Sequence, residues 1–99
     1  MDINEIINRI SYFRTKKKLS ARELSLLIGK SEPYINKLET RDFNLPTKVL
    51  LNIIEALEIS TAEFFADNYK TYSLDKQLFD LISNMNEERK TSLINVIKN

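Results

Sequence analysis

The segment Leu26–Glu39, LLIGKSEPYINKLE, contains the only glycine of the chain, Gly29, and one of its two prolines, Pro33. Glycine takes a positive φ without steric strain, so it ends a helix readily. Apolar residues stand at helical spacing on both sides of it: Leu24, Ile28, Ile35 and Leu38. The segment therefore predicts two short helices joined by a tight turn, with Ser31 capping the second and Pro33 in its first turn.

Signals for helix starts recur on both sides of this turn. Asp2 and Ser20 each precede a glutamate by three residues, which is the capping-box spacing, and so does Ser60. A further helix is predicted to begin near Pro46, and Phe64 is expected in the core together with Phe65. Alternating strand patterns and short hairpin turns are lacking. The chain is therefore predicted to be all-α, with five helices in residues 1–67.

Residues 73–98 continue the helical periodicity beyond these five helices. They predict one or two amphipathic helices and a second functional segment. The apolar residues that would form its interface are Leu74, Leu78, Leu81, Ile82, Leu93, Ile94 and Ile97. Two interpretations stay open. The face can bind another chain, which is either a second copy of this one or a partner protein, or it can fold back on residues 1–67.

The composition restricts the function further. Hydrophobic residues make up 42% of the chain, which is enough for a core. Histidine and cysteine are absent, so the commonest metal ligand, general base and thiolate are missing, and we predict no metal, no cofactor and no enzyme activity. No stretch reaches the roughly 18 apolar residues of a membrane span, and no signal peptide is evident. The expected setting is cytoplasmic, without a membrane partner.

Charge is distributed unevenly along the chain. Residues 1–48 carry ten Lys/Arg and six Asp/Glu, whereas residues 49–99 carry five and eight. The net charge of +1 conceals this difference. A basic N-terminal half indicates a polyanionic partner for that half, although an uneven distribution of solvated charges would look the same.

The segment LSARELSLLIGKSEPYINKLE resembles the helix-turn-helix of the lambda-repressor-like, Cro-type regulators, also called the xenobiotic-response-element family. Counted from Ala21, the small residue at position five is Ser25 and the glycine at position nine is Gly29. PTKVLLNIIEALEISTAEFF resembles the fourth and fifth helices of that family, and RISYFRTKKKLS resembles the end of its first. The resemblance covers about residues 3–66 and implies a five-helix DNA-binding domain. It departs from the family pattern at Ala21, Lys30 and Arg41.

The resemblance implies which residues contact DNA, because this family lays its second motif helix in the major groove. The outward residues that would read bases are Glu32, Pro33, Asn36, Lys37 and Thr40. The residues that would contact phosphates are Ser31, Tyr34, Arg22, Lys17, Lys18 and Arg41. The alternatives are ordinary: a solvated helix face, a half-buried tyrosine ring, and a basic helix end that suits the helix dipole.

The resemblance also implies a structural pair and a function. Arg14 would pair with Glu39 and lock the first and third helices together. The chain would then be a sequence-specific DNA-binding regulator, a repressor that binds a two-fold site on double-stranded DNA as a homodimer. Its source could be a phage, a mobile element or a bacterial chromosome. The alternative function is an antitoxin or adaptor whose main partner is a regulatory protein bound at residues 73–98.

Overall fold

The computed structural model describes residues 1–40 and 44–98, and those residues form α-helices without any strand. The helices are α1 (Ile3–Lys16), α2 (Ala21–Leu27), α3 (Tyr34–Thr40), α4 (Thr47–Ala56), α5 (Thr61–Phe65), α6 (Tyr72–Ser83) and α7 (Glu87–Lys98). The prediction of an all-α chain with five helices followed by further helices is confirmed. The chain divides into two compact units, Met1–Phe64 and Phe65–Asn99. The predicted functional division into residues 1–67 and 73–98 stays a prediction.

Unit 1, Met1–Phe64, packs its helices around one apolar core. Phe13 of α1 and Phe64 of α5 are fully buried, with ring centroids 5.9 Å apart. The other fully buried large side chains are Ile10, Leu24, Ile35, Leu38, Ile53 and Leu57. Phe65, expected in this core, is exposed instead. Consecutive helical residues point about 100° apart, so the five-residue α5 buries only one of its two phenylalanines in this core.

The predicted helix starts at Asp2, Ser20 and Ser60 all carry a capping hydrogen bond. Ser20 Oγ accepts the amide of Glu23 at 2.9 Å, and Glu23 Oε1 accepts the amide of Ser20 at 3.0 Å, which completes a capping box. Asp2 accepts the amide of Glu5 at 2.9 Å, and Ser60 accepts the amide of Glu63 at 3.0 Å. These bonds satisfy amides that helix starts otherwise leave without acceptors.

The start of α3 corrects the sequence-based prediction. The helix begins at Tyr34, three residues after the predicted cap at Ser31. The Tyr34 amide donates to the Ser31 carbonyl at 3.1 Å, and the Lys37 amide donates to the Pro33 carbonyl at 2.9 Å. Residues 31–33 therefore form a turn, and Pro33 precedes the helix instead of lying in its first turn. Proline has no side-chain acceptor, so the cap of α3 must come from elsewhere.

Three helices of unit 1 end in the same way. A residue with positive φ follows the C-cap of α1, α2 and α4: Lys18 at 60°, Gly29 at 74° and Glu58 at 57°. After α1, the Lys18 and Leu19 amides donate to the Thr15 and Arg14 carbonyls, both at 3.0 Å. This is the Schellman arrangement, and α2 repeats it around Gly29. The predicted helix stop at Gly29 is confirmed, but the sequence did not mark Lys18 or Glu58.

We expect Gly29→Ala to lower the free energy of unfolding by about 1 kcal/mol, because a Cβ is disfavoured at positive φ. Apart from Gly29 and its two chain neighbours, no atom of the described residues lies within 4 Å of the position that this Cβ would take, so the loss would come from the backbone conformation. Glu58→Gly relieves the same strain and should raise the free energy of unfolding. The gain should be only a few tenths of a kcal/mol, because glycine has more conformational entropy in the unfolded chain and this offsets part of it. Urea denaturation measures the change in free energy of unfolding of both variants. Equal stability of Gly29→Ala and wild type would contradict the account.

Unit 2, Phe65–Asn99, contains α6 and α7. Thr71 Oγ1 donates to Asp75 Oδ2 at 2.9 Å beside the start of α6, and Asn86 Oδ1 accepts the Arg89 amide at 2.8 Å at the start of α7. Neither helix has a buried residue. In the part of the chain that the structure describes, no helix is both long enough and apolar enough to cross a membrane.

Candidate nucleic-acid interface

Helix α3 has one buried and one exposed side. Ile35 and Leu38, three residues apart, are fully buried in the core of unit 1. Asn36, Lys37 and Thr40 are exposed. The helical period separates these two sets, so that anchoring Ile35 and Leu38 fixes the direction in which the polar side chains point.

The three exposed residues of α3 offer different chemistry. The amide group of Asn36 can donate and accept together, and the Lys37 ammonium can donate to acceptors on a base edge. The Thr40 hydroxyl donates to the Asn36 carbonyl at 2.7 Å, which uses its only hydrogen. Thr40 can therefore present acceptor lone pairs and a methyl group to a ligand, but no donor.

The turn before α3 holds the other predicted base-reading residues. Ser31, Glu32 and Pro33 are all exposed. The structure brings Glu32 together with Arg22 of α2, because Arg22 Nη2 lies 3.0 Å from Glu32 Oε1. This hydrogen bond and the negative charge of Glu32 raise the pKa of Arg22. The family resemblance implied separate roles for these two residues, Arg22 on a phosphate and Glu32 on a base, but they bind each other in the free protein.

Tyr34 opens α3 and is half-buried. The Lys30 ammonium lies 5.3 Å from the centre of its ring, within the range of a cation–π contact. Burial raises the pKa of the Tyr34 phenol. The phenol therefore keeps its proton at neutral pH and can act as a hydrogen-bond donor to an anion.

The remaining predicted phosphate contacts lie at helix ends. Lys17 and Lys18 are exposed where α1 ends, and the positive φ of Lys18 belongs to that helix end. Arg41 lies outside the described residues. The role of these cations on DNA stays a prediction.

A partly buried ion pair holds the end of α3 against α1. Arg14 Nε donates to Glu39 Oε1 at 2.9 Å, and Arg14 Nη2 donates to Glu39 Oε2 at 3.1 Å. A third nitrogen, Nη1, donates to the Leu19 carbonyl at 2.8 Å. Only 18% of the Arg14 side chain and 12% of the Glu39 side chain are exposed. The guanidinium thus joins α1, the segment after it and α3 in the geometry that makes such pairs strong.

A second contact, which the sequence reading did not identify, holds the start of α3. Ser25 of α2 is fully buried, and its hydroxyl donates to the Ala21 carbonyl at 2.8 Å. The same oxygen accepts the amide of Ile35 at 2.9 Å. Ser25 therefore supplies from another helix the cap that Pro33 lacks. The small residue at the fifth motif position was the available signal, but its contact with α3 depends on how the two helices pack.

These features together define a short helix fixed at both ends with a polar face outward, preceded by a helix and a tight turn. The family model described as helix-turn-helix matches residues 10–64, which is more than half of the chain. The chain belongs to the Cro/C1-type helix-turn-helix family. The predicted resemblance is confirmed. No curated protein and no solved structure gives a significant match to the sequence.

Membership of the Cro/C1-type family establishes a DNA-binding transcription regulator. The family is one of DNA-binding regulators and is not typically enzymatic. The described residues contain no group of three or more His, Cys, Asp or Glu side chains that could hold a metal ion. Helix α3 is the second helix of the motif, the one that such proteins place in the major groove.

Proposed function

We propose that this Cro/C1-type regulator is a cytoplasmic, sequence-specific repressor that binds a two-fold operator as a homodimer. The observation that carries the proposal is the exposed polar face of α3 on a helix held by Arg14 and Ser25. A base-reading helix must present its side chains in fixed positions, because hydrogen bonds to base edges tolerate little displacement. The buried Ser25–Ile35 hydrogen bond and the partly buried Arg14–Glu39 pair meet that requirement here.

Each exposed side chain has a complementary base edge. Asn36 can bind adenine through N6 and N7 in a bidentate arrangement, and Lys37 can donate to guanine O6 and N7. Thr40 can accept a hydrogen bond from a base amino group or contact a thymine methyl group in the same groove. Pro33 and Glu32 are exposed in the turn that leads directly into this helix. We propose that these five residues read bases.

Other exposed polar groups around α3 suit the phosphate backbone. Ser31 and Tyr34 provide hydroxyl groups, and Arg22, Lys17 and Lys18 provide positive charge. Hydroxyl groups and cations supply most phosphate contacts in protein–DNA complexes and fix the register of the protein on the duplex. These phosphate contacts would account for the excess of basic side chains in residues 1–48.

We propose the α6–α7 segment as the dimer interface. Its exposed large apolar side chains include six of the seven predicted ones, namely Leu74, Leu78, Leu81, Ile82, Ile94 and Ile97, together with Phe79 and Val96. The seventh, Leu93, is half-buried. Exposed apolar side chains in such number are typical of a surface that another chain covers. A dimer would also place two α3 helices on DNA, which a two-fold operator requires.

Selection of binding sites from random duplex DNA tests the proposal. We expect a two-fold site, and an affinity that falls steeply as salt rises because phosphate contacts release counterions. Asn36→Ala should weaken binding to the selected site by about 1–3 kcal/mol, roughly 5- to 150-fold, and leave binding to random duplexes nearly unchanged.

Asn52→Ala is the matched control for Asn36→Ala, because Asn52 is an exposed asparagine of α4 in the same unit. It should bind the selected site as wild type does. Failure to enrich any sequence would reject the proposed sequence-specific repressor. An equal loss in both asparagine variants would show that the effect of Asn36→Ala does not arise from base reading.

The dimer is tested with a charge in its proposed interface. Leu78→Asp should convert a dimeric protein into a monomer in sedimentation equilibrium, because the dimer would bury an unpaired carboxylate. Gln77→Asp introduces the same charge at the neighbouring exposed position and should leave the dimer intact. A monomeric wild-type protein would contradict the homodimer. It would then favour the alternative that the α6–α7 segment binds a regulatory protein, as an antitoxin or adaptor does.

A further inference from the structure

The ion pair between Arg22 and Glu32 lies on the proposed DNA-binding surface of unit 1. It links the first turn of α2 to the turn before α3, with 3.0 Å between Arg22 Nη2 and Glu32 Oε1. The side chains are 63% and 59% exposed, so a large ligand can reach both partners. The pair differs in this respect from the Arg14–Glu39 pair, whose side chains are only 18% and 12% exposed.

Exposure makes this ion pair exchangeable. Pairs between solvent-exposed side chains contribute little to stability, so the guanidinium can move to another anion at small cost. While Arg22 binds Glu32, it does not bind a phosphate, and the nearby carboxylate repels the DNA backbone. The unbound protein therefore withholds one cation from DNA of arbitrary sequence.

A base edge can take the place of Arg22 at Glu32. In the major groove the hydrogen-bond donors are the amino groups of cytosine and adenine. The adenine amino group lies beside the N7 acceptor, which repels a carboxylate, whereas cytosine offers its amino group without that acceptor. A cytosine facing Glu32 would thus bind the carboxylate and release Arg22 to a phosphate.

We propose that Glu32 determines operator specificity by holding Arg22 in the free protein and exchanging it for a cytosine amino group at the operator. This inference rests on the proposed role of α3 and its preceding turn in reading DNA. Binding to random DNA is weakened, because Arg22 is occupied and the Glu32 carboxylate repels phosphates. Binding to the operator is strengthened, because Glu32 then accepts from cytosine and Arg22 binds a phosphate. The operator then contains a C·G pair at the position that Glu32 faces.

Glu32→Gln tests the exchange because it keeps the size of the side chain and removes its charge. Fluorescence anisotropy would measure its affinity for a random-sequence duplex and for the duplex selected by wild type, at several salt concentrations. We expect affinity for the random duplex to rise about 3- to 10-fold at low salt, as the freed arginine reaches a phosphate. The slope of log affinity against log salt should steepen by about 0.9. The ratio of selected to random affinity should fall by about tenfold.

Asp80→Asn is a matched control for the change in net charge. Asp80 pairs with Lys76 one turn away in α6 at 3.2 Å, with side-chain exposures of 59% and 60%, so the distance and exposure resemble those of the Arg22–Glu32 pair. We expect its affinity for random DNA to stay within about twofold of wild type, because the lysine that Asp80 binds has no proposed contact with DNA. A rise equal to that of Glu32→Gln would overturn the proposal, because net charge alone would explain it.

The double variant Arg22→Gln/Glu32→Gln isolates the part played by Arg22. On random DNA its gain over Arg22→Gln should be clearly smaller than the gain of Glu32→Gln over wild type, because no arginine is left to release and only the repulsion by Glu32 is removed. A full gain in the double variant would overturn the exchange and leave only repulsion by Glu32. If wild type binds its selected duplex but Glu32→Gln gains nothing on random DNA, the inference fails and the proposed function stands. If wild type binds neither duplex, the proposed function fails, and the inference with it.

Discussion

Replacing Arg14 by alanine should lower the free energy of unfolding by up to about 3–5 kcal/mol, the effect of removing one partner of a fully buried ion pair, because this pair is mostly but not completely buried. The substitution removes three hydrogen bonds, two to Glu39 and one to the Leu19 carbonyl. It also leaves the Glu39 carboxylate largely buried without its counter-charge. The loss is a large share of the 5–15 kcal/mol by which small domains are stable, so the variant should melt far below wild type.

Urea denaturation followed by circular dichroism measures this loss, and two controls define its origin. Arg22→Ala removes an exposed arginine from an ion pair on the same unit and should leave the midpoint unchanged. The double variant Arg14→Ala/Glu39→Ala should recover part of the stability, because no buried carboxylate then lacks a partner. Wild-type stability in Arg14→Ala would show that the pair does not hold α3 against α1.

Ser25→Ala should lower the free energy of unfolding by about 1–3 kcal/mol, because it removes the acceptor of the buried Ile35 amide. The Ser25 hydroxyl accepts that amide at 2.9 Å, and Pro33 offers no side chain that could replace it. The loss falls on the start of α3, next to the proposed base-reading residues. Hydrogen exchange should therefore show faster exchange of the Ile35 amide, an effect that a uniform loss of stability would not confine to this site.

Ser92→Ala is the control, because Ser92 is an exposed serine inside a helix, α7. It should change stability by no more than about 0.5 kcal/mol, as exposed substitutions usually do. Ser25→Ala with normal protection of the Ile35 amide would contradict the capping role. Weakened binding to the selected operator, with binding to random DNA retained, would connect the cap to base reading.

The contrast between Ser20 and Ser25 shows why the sequence predicts the cap of α2 but not the cap of α3. Ser20 and Glu23 stand three residues apart, and a capping box needs nothing beyond that spacing. Ser25 and Ile35 stand ten residues apart, and their contact exists only because α2 and α3 pack against each other. A local rule therefore placed the cap of α3 at Ser31, and the helix begins at Tyr34 instead.

The same distinction applies to positive φ. The positive φ at residue 29 was predictable, because glycine is the residue that most easily adopts this conformation. Lys18 and Glu58 take positive φ without any local preference for it. The helices on either side fix the direction in which the chain must leave α1 and α4, and that constraint outweighs the strain of roughly 1–2 kcal/mol.

The ion pairs divide in a comparable way. The resemblance to the family implied that Arg14 and Glu39 meet, and the structure brings them together at 2.9 Å. Nothing in the sequence indicated that Arg22 and Glu32 meet, and the resemblance gave them separate roles on DNA. Their contact depends on the path of residues 29–33 between α2 and α3, which the packing of both helices sets.

The sequence by itself determined the helices, their order and the turn at Gly29, because helical periodicity, capping spacing and glycine conformation are local properties. Together with the family resemblance it also determined that the chain is a helix-turn-helix regulator. Only the tertiary structure decided where α3 begins, that Ser25 caps it, that Phe65 stays outside the core and that Arg22 binds Glu32. Each of these depends on groups brought together by packing, and their distance in space cannot be obtained from their spacing along the chain.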